Sequence, residues 1–165
     1  MSIDPRSFRN ALGCFATGIA VVTLCPEGGE GPVGITVNSV ASVSLEPPLV
    51  LFCLAHGSRH YRRVAACREF VINILAEEQR GYSGHFATSA TQESWGGVAA
   101  DLTAAGTPVL AGALATLVCS LEAVHPGGDH GIVVGRVTEL TWRPEGRPLV
   151  YIRGRYGRLE EDVQG

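Results

Sequence analysis

The chain has 165 residues, a net charge of −3, 45% hydrophobic residues and 18% charged residues. This size supports one domain, residues 1–165, with a core of its own, and the composition excludes a disordered chain. All 13 basic residues are arginine, which excludes Schiff-base, Walker-A and kinase-type lysines together, and without a basic tract nucleic acid is excluded as the main partner.

Asp4-Pro5 has the form of a helix cap followed by proline at the first helical position. It opens a short helix through about Leu12, with Phe8, Ala11 and Leu12 on one face. Gly18 to Leu24 reads as a strand, Pro26 to Pro32 as a turn, and Ile35 to Asn38 as part of a second strand. Pro47-Pro48 marks a sharp loop before Leu49 to Leu54, a continuous apolar run of the kind found in buried strands. Ser58 to Ala66 has helical spacing with Ser58 as its cap, Glu69 to Leu75 is a strand, and Glu77 to Ala87 is a short helix. Thr88 to Gly106 is loop-like, and three strands follow: Ala113 to Val124, Ile132 to Trp142 and Leu149 to Arg153. Many strands with short turns and few short helices predict a mainly β protein built as an antiparallel barrel.

The longest apolar stretches, such as Pro48 to Ala55, fall far short of a membrane span. Met1 to Pro5 has neither the basic nor the apolar region of a signal peptide. A cytoplasmic protein without a membrane partner is therefore expected. The five cysteines, at 14, 25, 53, 67 and 119, are odd in number and form no CxxC, so they read as buried free thiols.

Gly29-Glu30-Gly31-Pro32-Val33-Gly34 matches the spacing of a dinucleotide-binding loop. That motif needs a helix to start within it, so that free N–H groups face a pyrophosphate. Here Ile35-Thr36-Val37 favours a strand and Pro32 removes a donor, so the segment is a hairpin turn. From Gly34 to Ser44, Thr36, Asn38, Ser42 and Ser44 share one face, with a slip near Ser39 that a bulge would explain. Such a face suits water, and equally suits a planar heterocycle that needs small donors and acceptors. His56 and His60 stand at i and i+4, but no third metal ligand is near them, and no metal is expected. Ser58 and Arg59 could instead hold a phosphate where the helix begins. No G-x-S-x-G elbow, Cys–His pair or carboxylate pair is legible, so the chemistry would come from an organic cofactor. In "GGDHGIVVGRV" a glycine-rich turn delivers Asp129-His130 onto the start of a strand. Turn chemistry and a side chain aimed at a ligand both fit it.

Six segments recur in order: "FRNALGCFATGIAVVT", "GITVNSVASVSLEPPLVLFCL", "FVINIL", "HFA", "GDHGIVVGRV" and "GRYGRL". Through them the chain resembles, from about Phe8 to Leu159, the short-chain flavin reductases, the reductase components of two-component flavin-dependent monooxygenases. The resemblance implies an antiparallel split β-barrel, a homodimer, FMN or FAD in a groove near the dimer interface, and NADH or NADPH as reductant. Thr36, Val37, Asn38, Ser39 and Ser42 would line the isoalloxazine. Cys53, Leu54 and Ala55 would touch the flavin through main chain, Ser58 and Arg59 would lie near its phosphate, and Phe86 along its flank. His130 and Tyr156 would lie where nicotinamide stacks, positioning it for hydride transfer. Where relatives often carry a run of small hydroxyl residues, this chain has His56-Gly57-Ser58-Arg59-His60. A non-catalytic flavin or heme carrier on the same barrel is the alternative, and a pyridoxamine-phosphate-oxidase-like enzyme would need a basic cluster that is not seen.

Overall fold

A computed structural model gives the structure of residues 3–25, 31–88 and 95–160. Helix α1 (Pro5–Leu12) starts as its sequence dictates, with the Asp4 carboxylate accepting from Ser7 N–H at 2.8 Å and Pro5 opening the first turn. Strands β1 (Thr17–Gly18), β2 (Ala20–Leu24), β3 (Val33–Val37), β4 (Ala41–Leu45) and β5 (Pro48–Ala55) follow. Then come α2 (Tyr61–Ala66), β6 (Glu69–Ile74), a 3₁₀ turn (Glu77–Gln79) and α3 (Arg80–Thr88). The chain continues through β7 (Ala100–Leu102), β8 (Pro108–Leu110), β9 (Ala115–Gly127), β10 (His130–Trp142), β11 (Val150–Ile152) and β12 (Arg155–Gly157). Most of the turn expected at Pro26 to Pro32, and residues 89–94 of the loop expected from Thr88 to Gly106, lie outside the described residues; the rest of that loop carries β7.

Seven strands form one antiparallel sheet in the order β3-β2-β6-β9-β10-β5-β4, with β1-β11-β12 and β7-β8 as smaller sheets beside it. β3 and β4 are neighbours in sequence yet occupy opposite edges of the large sheet. Asn38, Ser39 and Val40 bridge these edges and roll the sheet into the expected split barrel. Ser39 fastens the closure, its Oγ accepting from Cys53 N–H at 3.0 Å and donating to Cys53 C=O at 3.3 Å on β5. The run from Gly34 to Ser44 is therefore two strands, and the slip at Ser39 is the crossing between them. The irregularity in pairing lies instead between Ser42 and Ser44, against Val50 and Leu49.

Alternate residues of β5 and β10 set the inside and outside of the barrel. Val50, Phe52 and Leu54, with Gly131, Val133 and Gly135, face the core. Its centre includes Phe70 packed edge-on to Phe52, ring centroids 5.5 Å apart. Glycine is required at 135 because a Cβ there would stand 2.3 Å from the Phe70 ring. A second apolar cluster, Ile19, Val21, Leu75, Phe86, Leu110 and Leu149, ties α3 and the small sheet to the barrel. Buried Asn73 joins three segments, donating to Val21 C=O at 3.0 Å and Thr23 Oγ1 at 3.1 Å while accepting from Leu110 N–H at 2.8 Å.

Two sequence expectations need correction. Of the five thiols only Cys67 and Cys119 are buried; Cys14 and Cys25 are exposed and Cys53 is half-buried. The helix expected from Ser58 begins at Tyr61, because Ser58 Oγ accepts from His60 N–H and closes a separate turn first.

Candidate active site

α3 lies against β3, and one residue couples them to the small sheet. Thr36 Oγ1 donates to Ser83 C=O at 2.7 Å, and the Tyr156 hydroxyl donates to Ser83 Oγ at 3.1 Å. Tyr156 reaches this point because β11 and β12 are joined by Arg153-Gly154, both at positive φ (50° and 77°). That pair of angles matches a tight hairpin turn whose twist suits its strands. Tyr151 stands edge-on to Tyr156, centroids 5.8 Å apart.

These residues enclose a groove of about 220 Å³ lined by Ile19, Thr36, Val37, Asn38, Ser83, Ala87, Tyr151 and Tyr156. Its walls are apolar and aromatic, with a few small polar groups at one end. Among the described residues the Asn38 carboxamide makes no hydrogen bond to the protein, and it is exposed at the rim. A flat heteroaromatic ring with an amide-like edge fits this donor set: aromatic walls for its faces, an unengaged carboxamide for its edge.

On the outside of the barrel, directly paired residues project to the same side. His130 pairs with Ala55 and Ile132 with Cys53, so His130 shares a face with both, next to the Ser39–Cys53 bonds. Asp129 Oδ1 accepts from His130 Nδ1–H at 2.7 Å. This contact holds the Asp129 carboxyl below its ordinary value, His130 being the largest cause and His56 a lesser one. With Nδ1 donating, a neutral His130 presents Nε2 as an acceptor. Gly131, the next residue, admits the Tyr61 ring, which also stacks edge-on with His56 at 4.8 Å.

The structure therefore collects Thr36, Val37, Asn38 and Tyr156 in one groove, and Ser39, Cys53, Ala55 and His130 on the adjoining outer face. Leu54 points into the core. Cys53 N–H is taken by Ser39 and Ala55 C=O accepts from Ser58 N–H at 2.9 Å, so both main-chain groups already have partners. Ser42 pairs with Val50 on the opposite face of the edge strand from Ala41. Phe86 is buried against Gly34 and against Trp95, 5.0 Å between centroids, and buttresses the groove from behind. Arg59 is exposed. Among the described residues His60 Nδ1 is buried without a hydrogen-bond partner, and burial, followed by the charges of Arg63 and Arg59, lowers its pKa. Ser83, Tyr151, Ile19 and Ala87 were not read from the sequence. Ser83 and Ala87 stand at helical spacing on α3, the one signal that could have found them.

A family model described as "Flavin reductase like domain" matches residues 12–160. The chain belongs to the flavin reductase family. It is 43% identical to the reductase subunit of a flavin-dependent monooxygenase from Rhodococcus jostii, over 98% of this chain and 81% of the relative. An FMN reductase (NADH) from Agrobacterium fabrum is 41% identical, over 94% and 87%. Among solved structures, a Streptomyces globisporus NADH:FAD oxidoreductase in complex with NAD and FAD fragments superposes with a TM-score of 0.90. It is 34% identical, and the match covers 99% of both chains. The split barrel of this flavin reductase is thus shared along nearly its whole length.

Proposed function

We propose that this flavin reductase catalyses NAD(P)H + flavin + H⁺ → NAD(P)⁺ + reduced flavin, and passes the reduced flavin to a partner monooxygenase. The observation that supports it most is the aromatic-walled groove with the unbonded Asn38 carboxamide at its rim. Relatives named as NADH-dependent flavin reductases and as reductase subunits of monooxygenases support the same reading, and none of these names supports a non-catalytic carrier.

When bound, the flavin supplies the redox chemistry by accepting a hydride from nicotinamide. The protein holds and orients. Thr36, Val37 and Asn38 form the floor and edge of the ring site, and Ser83 fixes the Tyr156 ring as its far wall. The tautomer that Asp129 imposes on His130 leaves Nε2 to accept an N–H of the nicotinamide carboxamide. That contact would orient the nicotinamide for transfer to the flavin, and holding the two rings together would itself supply much of the rate. No protein group needs to act as nucleophile.

A homodimer belongs to this proposal. Val43 and Leu45 on β4, Leu140 and Trp142 at the end of β10, and Phe8 and Leu12 on α1 are large apolar side chains left exposed, more than a monomer's surface needs. So does a cytoplasmic location in one domain, residues 1–165; among the described residues no helix is long and apolar enough to cross a membrane. Mixing the protein with NADH or NADPH and each of FMN, FAD and riboflavin, and following the loss of reduced-nicotinamide absorbance, tests the activity. Absence of flavin-dependent oxidation in every pairing would refute it.

A further inference from the structure

A second cavity, about 650 Å³, adjoins the ring groove; Glu77, Glu78, Arg80, Tyr156 and Arg158 are among the residues lining it. Tyr156 lines both spaces. The groove alone, at about 220 Å³, is too small for a nucleotide, since pockets for whole ligands run to about 300–1,000 Å³. A ligand larger than its ring would have to extend past this rim, and the larger cavity begins on the other side of Tyr156.

Each of the two carboxylates lining the cavity already has an arginine partner. Arg158 Nε bonds Glu77, and Arg143 bonds Glu78 at 3.2 Å while also donating to Gly112 C=O at 3.0 Å. Both carboxylates are thereby neutralised. Arg80 is left over: among the described residues it has no carboxylate partner, and its guanidinium lies over the Tyr156 ring, 4.4 Å from the centroid. Stacking on an aromatic face restrains the guanidinium plane while leaving its N–H edge free, the fork that matches a phosphate in bidentate fashion. Arg80, Ser83 and Ala87 follow one another at i, i+3 and i+7 on α3, so one helix face runs from this cavity into the ring groove.

We propose that this cavity binds a phosphate of the nucleotide whose ring occupies the groove, with Arg80 as its anion-binding residue. The inference rests on the flavin reductase reading and deepens it. Two ligands of the reaction share this chemistry, the flavin nucleotide and the nicotinamide dinucleotide.

The test measures binding as well as turnover. Wild type, Arg80→Gln and Arg80→Lys are titrated with riboflavin, FMN and FAD by flavin fluorescence, and with NADH and reduced nicotinamide riboside by nicotinamide fluorescence. Thermal melts confirm that these exposed substitutions leave the fold intact. Arg80→Gln is expected to weaken phosphate-bearing ligands of one series about tenfold or more, the scale of a lost charged hydrogen bond, and to leave the phosphate-free member of that series unchanged. Arg80→Lys, which keeps the charge without the fork, should fall between. Loss confined to FMN and FAD assigns the flavin phosphate; loss confined to NADH assigns the reductant. Equal weakening of riboflavin or of the riboside would mean that Arg80 acts on the ring through Tyr156, and would overturn the proposal, as would no change in either series. Wild-type protein that binds neither flavin nor NADH would instead overturn the functional reading itself.

Discussion

At the scale of single residues, the roles proposed for Asn38 and His130 differ, and the two should fail differently. Replacing Asn38 with Leu removes a polar contact at the ring edge, and flavin affinity should fall by about 1–3 kcal/mol, read from flavin fluorescence. His130→Ala should raise KM for NAD(P)H more than it lowers flavin affinity. A drop of several orders of magnitude in kcat at unchanged KM would contradict a positioning role. Asp129→Asn should reproduce part of the KM effect without touching flavin binding, because it releases the tautomer and leaves the imidazole in place. The thiols separate by environment. Burial pushes Cys67 up to about 11 and Cys119 up to about 12, so both stay protonated in the folded chain. Iodoacetamide at neutral pH should label Cys14 and Cys25 and spare Cys67 and Cys119 until the protein unfolds. The unfolded chain ionises these thiols near their ordinary value of 9.0. Their contribution to stability is therefore complete below that pH and is lost as pH rises through the folded values. Urea midpoints measured between pH 8 and 11 check the sign. Asn38 and Tyr156, both lining the candidate groove, and His130 on the adjoining face were expected from the sequence, the last two through the family resemblance. Ser83 was not, because nothing in the short helix expected from Glu77 to Ala87 marked the face that meets the groove, and its partner Tyr156 lies 73 positions away.

Among the elements, two glycines show how closely the site depends on packing behind it. A Cβ at Gly34 would meet the Phe86 ring at 2.3 Å, and one at Gly135 would meet Phe70 at the same distance. Each alanine substitution should cost about 1–3 kcal/mol of stability through overpacking. They should part company in function: Gly34→Ala pushes on α3 and thus on Ser83, Thr36 and Tyr156, whereas Gly135→Ala strains the distant core. Flavin affinity relative to the change in melting temperature distinguishes them. The long strands β5, β6, β9 and β10 were readable because hydrophobic runs and alternation persist over many residues. β7, β8 and β12, three residues each, were not, since glycine, proline and arginine surround them and pairing alone makes them strands. The two strands around Ser39 merged in the sequence because small polar residues keep recurring on either side of it while the backbone changes partners.

For the molecule as a whole, the class of fold followed from strand count and turn spacing, whereas the sheet order did not. Placing β3 and β4 at opposite edges depends on hydrogen bonds between residues far apart in sequence, and no local pattern records them. The exposed apolar residues, Leu45 at 90% and Trp142 at 68% relative exposure, give the quaternary prediction. Sedimentation equilibrium should return twice the chain mass, and Leu45→Lys combined with Trp142→Lys should shift it toward the monomer; a wild-type monomer at micromolar concentration would remove the homodimer from the proposal.

The crossing at Asn38-Ser39-Val40 is both the rim of the ring groove and the seam of the barrel. Elsewhere on the surface an extra residue can be absorbed by a loop. Here one more residue would lengthen the crossing between the two sheet edges and detach Ser39 from Cys53. Insertional scanning should find this segment intolerant of length change while it still accepts side-chain changes. Variation in ligand preference among proteins built this way is accordingly free to accumulate by substitution at the seam, and by changes of length only away from it.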